Sequence, residues 1–207
     1  MSTSPLSFDP YVINNLPGPR FLDVGCGCGK WGFLLRTYKA MEYRDDLNIT
    51  GVDAFQPHID TLGQKGIYNR LVCCSASSLP FEDGEFDSAV CCEVLEHMKR
   101  EQGSQLLSEL KRVCRQGFVV STPLFDCYRG GGETADGFNP FEAHLYCYSG
   151  PEFCDLGFTQ VVGVGIRAPS WKLSTALSSL SYFFPKQAKY GLGFWWRDGK
   201  RRVITTE

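Results

Sequence analysis

A cluster of glycines near the N-terminus constrains the fold more than any other feature of this 207-residue sequence. The apolar run at 20–24 leads directly into Gly25, Gly27 and Gly29, and apolar side chains at helical spacing follow. Closely spaced glycines let the backbone turn tightly beneath a bound ligand, where side chains would block the approach. This order predicts a strand, a ligand-binding turn and a helix.

Short apolar runs alternate with helical patterns along most of the chain. The predicted strands are 20–24, 48–52, 70–74, 86–92, 117–121 and 158–166, with a last, antiparallel strand at 201–206. Such alternation is typical of βαβ units, which build a parallel sheet with helices on both faces. We therefore predict one α/β domain over 1–207, with a doubly wound, mostly parallel seven-stranded sheet and an antiparallel last strand.

Two segments interrupt this pattern. Residues 124–148 contain three consecutive glycines, a proline and several aromatics, and they predict a long ordered loop. Residues 168–196 are aromatic and basic, with a helical pattern at 171–183. Long ordered loops in compact domains are often functional lids, so both insertions are predicted to contribute to a lid.

An acidic residue, Asp53, ends the second predicted strand. A carboxylate there can accept both hydroxyls of a ribose, so the glycine turn and this acid together predict a nucleoside-containing cofactor. A dinucleotide fold needs a third glycine where this chain has Lys30. Asp23 beside the glycines suits a ligand with a cationic amino group better than one with phosphates. A nicotinamide oxidoreductase is therefore disfavoured.

Five segments then occur in a diagnostic order: FLDVGCGCG at 21–29, GVD at 51–53, ASSLPF at 76–81, FD at 86–87 and EVLEH at 93–97. They resemble the motifs of the class I S-adenosylmethionine-dependent methyltransferases, in the group often called methyltransferase type 11. The resemblance covers roughly residues 18–165. It implies that the chain is an enzyme whose cofactor is S-adenosylmethionine.

The resemblance also implies a set of cofactor-binding residues. Those expected to hold the methionine portion are Asp23, Gly25, Cys26, Gly27 and Gly29. Those expected around the ribose and adenine are Asp53, Ala54, Ser75, Ala76 and Ser77, with Cys92 and Glu93 closing the floor. The family usually has Asp where Ser75 stands, but a serine can still accept a hydrogen bond from the adenine amino group.

Two histidines are the candidate catalytic residues. His97 has a pKa range suited to removing a proton near neutral pH. His144 follows the fifth predicted strand, where ligands of parallel sheets bind, and it is either a substrate base or donor or a loop histidine bonded to a carbonyl. The remaining histidine, His58, is predicted to lie on a helix surface without a role.

A metal site is an alternative for the EVLEH segment. Glu93, Glu96 and His97 would share one face of a helix, and such ligands can hold a divalent ion. The spacing resembles the metal site of quinone-biosynthesis O-methyltransferases. Leu-Glu-His is nevertheless common in the whole family without a metal, so no metal is predicted.

The predicted function is methyl transfer to a small-molecule or lipid-like acceptor, with oxygen, nitrogen and carbon all open as the acceptor atom. Residues 167–207 carry eight Lys and Arg side chains against two acids. An RNA methyltransferase that uses this basic segment is therefore an alternative. A non-catalytic protein that binds the cofactor is another, and peripheral contact with a membrane stays open.

The location is predicted to be cytoplasmic. The first ten residues lack the basic start and apolar block of a signal peptide. The paired cysteines at 73–74 and 91–92 lie in apolar runs, where we expect them to be small buried hydrophobes in a reducing compartment.

Overall fold

A computed structural model describes residues 4–125, 128–166 and 185–199. The helices in these ranges are α1 (Asp9–Asn15), α2 (Lys30–Tyr43), α3 (Gln56–Gly63), α4 (Arg100–Val113) and α5 (Gly150–Cys154). The strands are β1 (Arg20–Val24), β2 (Asn48–Asp53), β3 (Arg70–Cys73), β4 (Phe86–Cys92), β5 (Cys114–Pro123), β6 (Gly132–Thr134), β7 (Gly137–Asn139), β8 (Gln160–Ile166) and β9 (Ala188–Trp196). Short 3-10 turns at Leu95–His97 and Pro140–Glu142 flank the site described below.

The main sheet has seven strands in the order β3-β2-β1-β4-β5-β9-β8. The first five strands of this order are parallel, and β9 runs antiparallel to both of its neighbours. The predicted fold class is confirmed. The strand order reverses between β1 and β4, and ligands of open α/β sheets bind beside such a reversal.

The core lies on both faces of the sheet. Alternate residues of one strand enter different apolar clusters: Leu22 packs with Leu106 and Leu110 of α4, whereas Phe21 packs with Trp31 of α2. Successive side chains of a strand point to opposite faces. The paired thiols of β4 follow the same rule, and both are buried as predicted.

The antiparallel strand is the main correction to the sequence prediction. It is β9, inside the segment 168–196 that was predicted to be an insertion, whereas 201–206 lie outside the described residues. Gly191 and Gly193 interrupt the apolar alternation of this strand, and Cβ atoms there would clash with the rings of Phe153 and Phe158. The glycines make room for those rings, which hides the strand pattern in the sequence.

The two predicted insertions differ in outcome. Segment 124–148 contains the β6–β7 hairpin and the Pro140–Glu142 turn. In the other insertion, 188–196 belong to the sheet and are not part of a lid, and the predicted helix at 171–183 lies outside the described residues. Cys73 is exposed rather than buried, because β3 is an edge strand. None of the described helices combines the length and apolar character needed to cross a bilayer.

Candidate active site at the ends of the parallel strands

A cavity of about 590 Å³ opens where the chain leaves β1, β2 and β4. Its size is typical of small-molecule pockets. One side, which we call the glycine-turn half, is lined by Gly25, Gly27, Val52, Asp53, Ala54, His58, Cys74, Ser75 and Ala76. A second part of the lining, which we call the insertion half, comes from residues 97–102 and from the insertion: His97, Met98, Lys99, Gln102, Arg129, Asn139, Phe141, Glu142 and Leu145. Cys92, Glu93 and Val94 lie between them.

The glycine turn after β1 exposes backbone rather than side chains to the cavity. Gly25, Gly27 and Gly29 have φ values of 71°, 48° and 93°, a region that L residues rarely adopt. A Cβ on Gly25 would clash with Val94, and one on Gly29 would lie 2.8 Å from Leu62. The first two glycines therefore line the cavity, whereas Gly29 allows α2 to pack closely on α3.

The end of β2 presents an ionised carboxylate. Asp53 Oδ2 accepts a hydrogen bond from the Gly27 amide at 2.9 Å, and Oδ1 accepts one from the Phe55 amide at 2.9 Å. Burial by itself would raise the pKa of Asp53. His58 and the two amides outweigh burial and hold the pKa below its usual value. Each carboxylate oxygen has two lone pairs, so both can still accept hydroxyl groups.

His58 is the clearest error of the sequence prediction. It is 4% exposed rather than on a helix surface, and its ring meets that of Phe55 edge-on at 5.0 Å. Its Nδ1 lies 3.6 Å from Asp53 Oδ2. No local sequence pattern indicates this placement, because Asp136, the second carboxylate beside His58, belongs to the hairpin of the insertion.

Asp23 lies on the interior side of the turn, which it stabilises, and does not line the cavity. The side chain is fully buried, and its Oδ2 accepts hydrogen bonds from the Tyr68 hydroxyl at 2.6 Å and the Gly32 amide at 3.0 Å. Burial raises the pKa of Asp23 to about 7. The predicted direct contact of a charged Asp23 with a ligand is therefore replaced by a structural role that links β1, α2 and the loop before β3.

Two other predicted binding residues also lie behind the lining. Cys26 is 3% exposed and packs with Ile59 and Leu62. Ser77 holds the side chain of the lining residue Ser75, with 2.9 Å between the two hydroxyl oxygens. Both therefore act through neighbours rather than by facing the cavity.

Two carboxyl groups lie at or behind the floor of the cavity: Glu93 lines the cavity and is partly buried, whereas Glu96 is buried outside the lining. Glu93 has a φ of 59°, and its Oε1 accepts a hydrogen bond from Ser121 at 2.7 Å. Burial raises its pKa to about 7. Glu96 is 1% exposed and accepts from Thr122 at 3.1 Å; burial, and the nearby Glu93, raise its pKa well above the usual range.

His97 is held in one orientation on the insertion half. Its Nδ1 lies 3.2 Å from the Ala143 carbonyl oxygen, which can only accept a hydrogen bond. This contact assigns the proton to Nδ1 and leaves the lone pair on Nε2. Burial lowers the pKa of His97, so the ring is neutral at neutral pH. The ring of His144 meets it edge-on, with 4.7 Å between the centroids.

The group that could coordinate a metal differs from the one in the sequence. Ligand atoms of Glu96, His97 and His144 lie within 4.8 Å of one another. Glu93 is instead engaged with Ser121. The structure thus brings His144 beside His97, although His144 is not part of the cavity lining. The prediction that no metal is bound stays a prediction.

Comparison with known proteins shows which family part of the chain resembles. A family model described as a methyltransferase domain matches residues 22–121, which include the glycine turn, Asp53 and the EVLEH segment. These 100 residues, just under half of the chain, are similar to that family. It is 31% identical over 114 residues to a ubiquinone biosynthesis O-methyltransferase of Rickettsia bellii (strain OSU 85-389). That match covers 54% of this chain and 44% of the Rickettsia protein, so the chain spans less than half of that relative.

Solved structures show the same fold. An S-adenosylmethionine-dependent methyltransferase from Archaeoglobus fulgidus superposes with a TM-score of 0.57 at 17% identity, over 92% of this chain and 91% of that chain. The 1,6-didemethyltoxoflavin-N1-methyltransferase of Burkholderia thailandensis, bound to 1,6-didemethyltoxoflavin and S-adenosylhomocysteine, gives 0.57 at 20% identity, over 94% and 78% of the two chains.

Proposed function

We propose that this protein transfers the methyl group of S-adenosylmethionine to a hydroxyl group of a small-molecule acceptor. The observation that carries the proposal is His97. Its neutral ring lines the same cavity as the glycine turn and the Asp53 carboxylate. A base is needed only when the acceptor must lose a proton, as a hydroxyl does on methylation.

The glycine-turn half fits the cofactor. Gly27 has no side chain and no heavy atom closer than 3.9 Å to the position of a Cβ, so a ligand can approach its backbone. The ionised Asp53 suits two ribose hydroxyls. Ser75 and Ala76 line the wall beyond Asp53, where the adenine is expected. Asp23, Cys26, Gly29 and Ser77 support this half from behind.

The protein has three roles in this reaction: it holds the cofactor, it lines the acceptor space and it accepts a proton. When bound, S-adenosylmethionine supplies an electrophilic methyl group on its sulfonium. The glycine turn and Asp53 hold the cofactor in place, and the apolar side chains of Phe141 and Leu145 line the insertion half. His97 would accept the acceptor's hydroxyl proton at Nε2, and the bound cofactor would supply the methyl group that replaces this proton on the acceptor oxygen. Orientation of this kind contributes several kcal/mol to rate enhancement.

Calorimetry and a panel of acceptors test the proposal. S-Adenosylmethionine and S-adenosylhomocysteine are expected to bind with saturation, whereas NAD is expected not to bind. Phenolic and enolic acceptors are expected to yield S-adenosylhomocysteine, and the same compounds with the hydroxyl already methylated are not. Turnover of amines alone would contradict O-methylation. Cofactor binding without turnover of any acceptor would favour the non-catalytic alternative.

The RNA alternative depends on a segment that the structure describes only in part. Of residues 167–207, 185–199 are described, and these form a 3-10 turn, β9 and the residues just after it. Salt-dependent RNA binding by the full chain would support that alternative.

A further inference from the structure

His58 lies between two carboxylates that belong to different parts of the molecule. Its Nδ1 is 3.6 Å from Asp53 Oδ2, at the end of β2. Its Nε2 is 3.8 Å from Asp136 Oδ2, in the turn between β6 and β7. The two ring nitrogens of one buried imidazole thus face the cofactor half of the cavity and the hairpin of the insertion.

The hairpin has a second contact with the same helix. Asp136 Oδ1 accepts a hydrogen bond from the Thr61 hydroxyl of α3 at 2.7 Å. Inside the turn, Thr134 Oγ1 accepts from the Asp136 amide at 3.2 Å and donates to the Gly137 carbonyl at 2.8 Å. The position of Asp136 is therefore set by the hairpin, and Asp136 attaches the hairpin to α3.

The other end of the insertion is attached across the cavity. The amides of Leu145 and Tyr146 donate to the Glu96 carbonyl at 2.7 and 3.2 Å, and His97 donates to Ala143. Between these attachments, Asn139 and Phe141 line the cavity. The insertion spans the cavity from α3 to the turn that carries His97.

We propose that His58 is a positioning residue that couples the Asp53 carboxylate to the β6–β7 hairpin. The inference rests on the proposed function, in which Asp53 binds the cofactor ribose. Ribose hydroxyls that bind Asp53 fix the carboxylate against His58, and His58 in turn holds Asp136 and the hairpin. Such coupling is reciprocal by thermodynamic linkage. A hairpin that is held on α3 by Asp136 therefore also strengthens cofactor binding.

An order of binding follows from this coupling. The hairpin leads directly into Asn139 and Phe141, which line the acceptor side. The acceptor site is therefore complete only when the hairpin is held on α3. The cofactor binds first and the acceptor second.

Hydrogen exchange of the full chain, with and without S-adenosylhomocysteine, tests the coupling. In the wild type, S-adenosylhomocysteine is expected to slow exchange of the amides at 132–139. In Asp136→Asn, this protection is expected to be lost. S-Adenosylhomocysteine is also expected to bind about three- to tenfold more weakly, which corresponds to the loss of one contact as strong as a hydrogen bond. Asp60→Asn is the control, because Asp60 is an exposed residue of α3 that bonds Gln56; its protection and affinity stay at the wild-type level.

Two variants of His58 distinguish a loss of the coupling from a loss of protein stability. His58→Asn preserves a donor near the Nδ1 position and His58→Gln one near the Nε2 position, so each retains one contact and neither retains both. Both are expected to lose the ligand-dependent protection of the hairpin. In a double-mutant cycle, Asp136→Asn is expected to weaken binding less in the His58→Asn background than in the wild type, since the His58 connection is already lost and only the Thr61 bond of Asp136 remains to be changed.

The outcomes distinguish this inference from the proposed function. A wild type that does not bind S-adenosylhomocysteine contradicts both. Measurable binding with unchanged exchange at 132–139, or wild-type affinity in Asp136→Asn, overturns the coupling alone. Additive effects in the double-mutant cycle also overturn it.

Discussion

The two halves of the cavity are formed by different kinds of chemical groups. The glycine-turn half uses backbone amides, glycines and one ionised carboxylate, all at the ends of sheet strands. The insertion half uses side chains from a hairpin and two short turns, above buried carboxyl groups whose pKa values are raised. The first half is held by strand pairing on both sides, whereas the second is held by a few contacts that cross the cavity.

This difference corresponds to two functions, the binding of a constant ligand and the selection of an acceptor. Binding a constant ligand needs fixed geometry, which hydrogen-bonded strands provide. Selecting an acceptor needs side chains that can vary without disturbing the sheet, which loops provide. Apart from the His58–Asp136 connection proposed above, we therefore expect changes in the glycine-turn half to alter cofactor affinity, and changes in the insertion half to alter turnover and acceptor binding.

The strongest test of this division is His97→Gln. Loss of the base is expected to lower kcat by about 10²–10⁴-fold, with the dissociation constant for S-adenosylmethionine unchanged. Steady-state kinetics and calorimetry measure the two quantities. His144→Gln is the comparison: His144 contacts His97 without lining the cavity, so its effect on kcat is expected to be smaller. Equal losses would place both histidines in the chemistry.

Buried carboxyl groups in the two halves predict a pH dependence of stability. Folding raises the pKa of Asp23 from about 4 to about 7. Between these values the folded protein retains a proton that the unfolded chain has released. The free energy of unfolding therefore falls as pH rises through this window, by about 1.4 kcal/mol per pH unit at most, and levels off above it.

Asp23→Asn removes this contribution and is expected to flatten the fall in melting temperature between pH 5 and pH 7. Glu93→Gln does the same from the floor of the cavity, since the pKa of Glu93 is also about 7. Scanning calorimetry at several pH values without ligand measures the slope. The slope is the readout rather than the absolute melting temperature, because either amide can also change packing. An unchanged slope in both variants would mean that these groups are ionised in the folded protein.

Asp53→Ala probes the glycine-turn half. Loss of the ribose contacts is expected to weaken cofactor binding by about 1–3 kcal/mol, while kcat at saturating cofactor changes little. Isothermal titration with S-adenosylhomocysteine gives the affinity. Asp46→Ala, at an exposed position before β2, serves as the control. Unchanged affinity in Asp53→Ala would remove Asp53 from the site.

Phe141→Ala is the mildest test and probes the insertion half. The ring is 53% exposed and lines the cavity, so its loss is expected to raise the KM for the acceptor by about 1 kcal/mol, roughly fivefold. The matched control is Phe138→Ala, since Phe138 is 59% exposed and lies on the hairpin outside the lining. An altered affinity for S-adenosylmethionine in Phe141→Ala would break the division between the two halves.

The glycine-turn half could be predicted from local sequence. A strand, a turn and a helix that are adjacent in the chain remain adjacent in space, so Gly25, Gly27 and Asp53 were found without a structure. For Asp23, the sequence shows that it is near the turn but not that it is buried behind it. The position of the antiparallel strand was predicted wrongly because its glycines accommodate rings from other elements. The local sequence pattern does not indicate that packing.

The sequence alone determined the parallel sheet, the turn after β1 and the carboxylate after β2, because hydrophobic periodicity and glycine spacing are properties of neighbouring residues. Tertiary structure alone decided that His58 faces Asp53 and Asp136, that His144 meets His97, and that Asn139 and Phe141 line the cavity. These contacts join residues that are distant in the chain, and their geometry depends on how the insertion packs against α3.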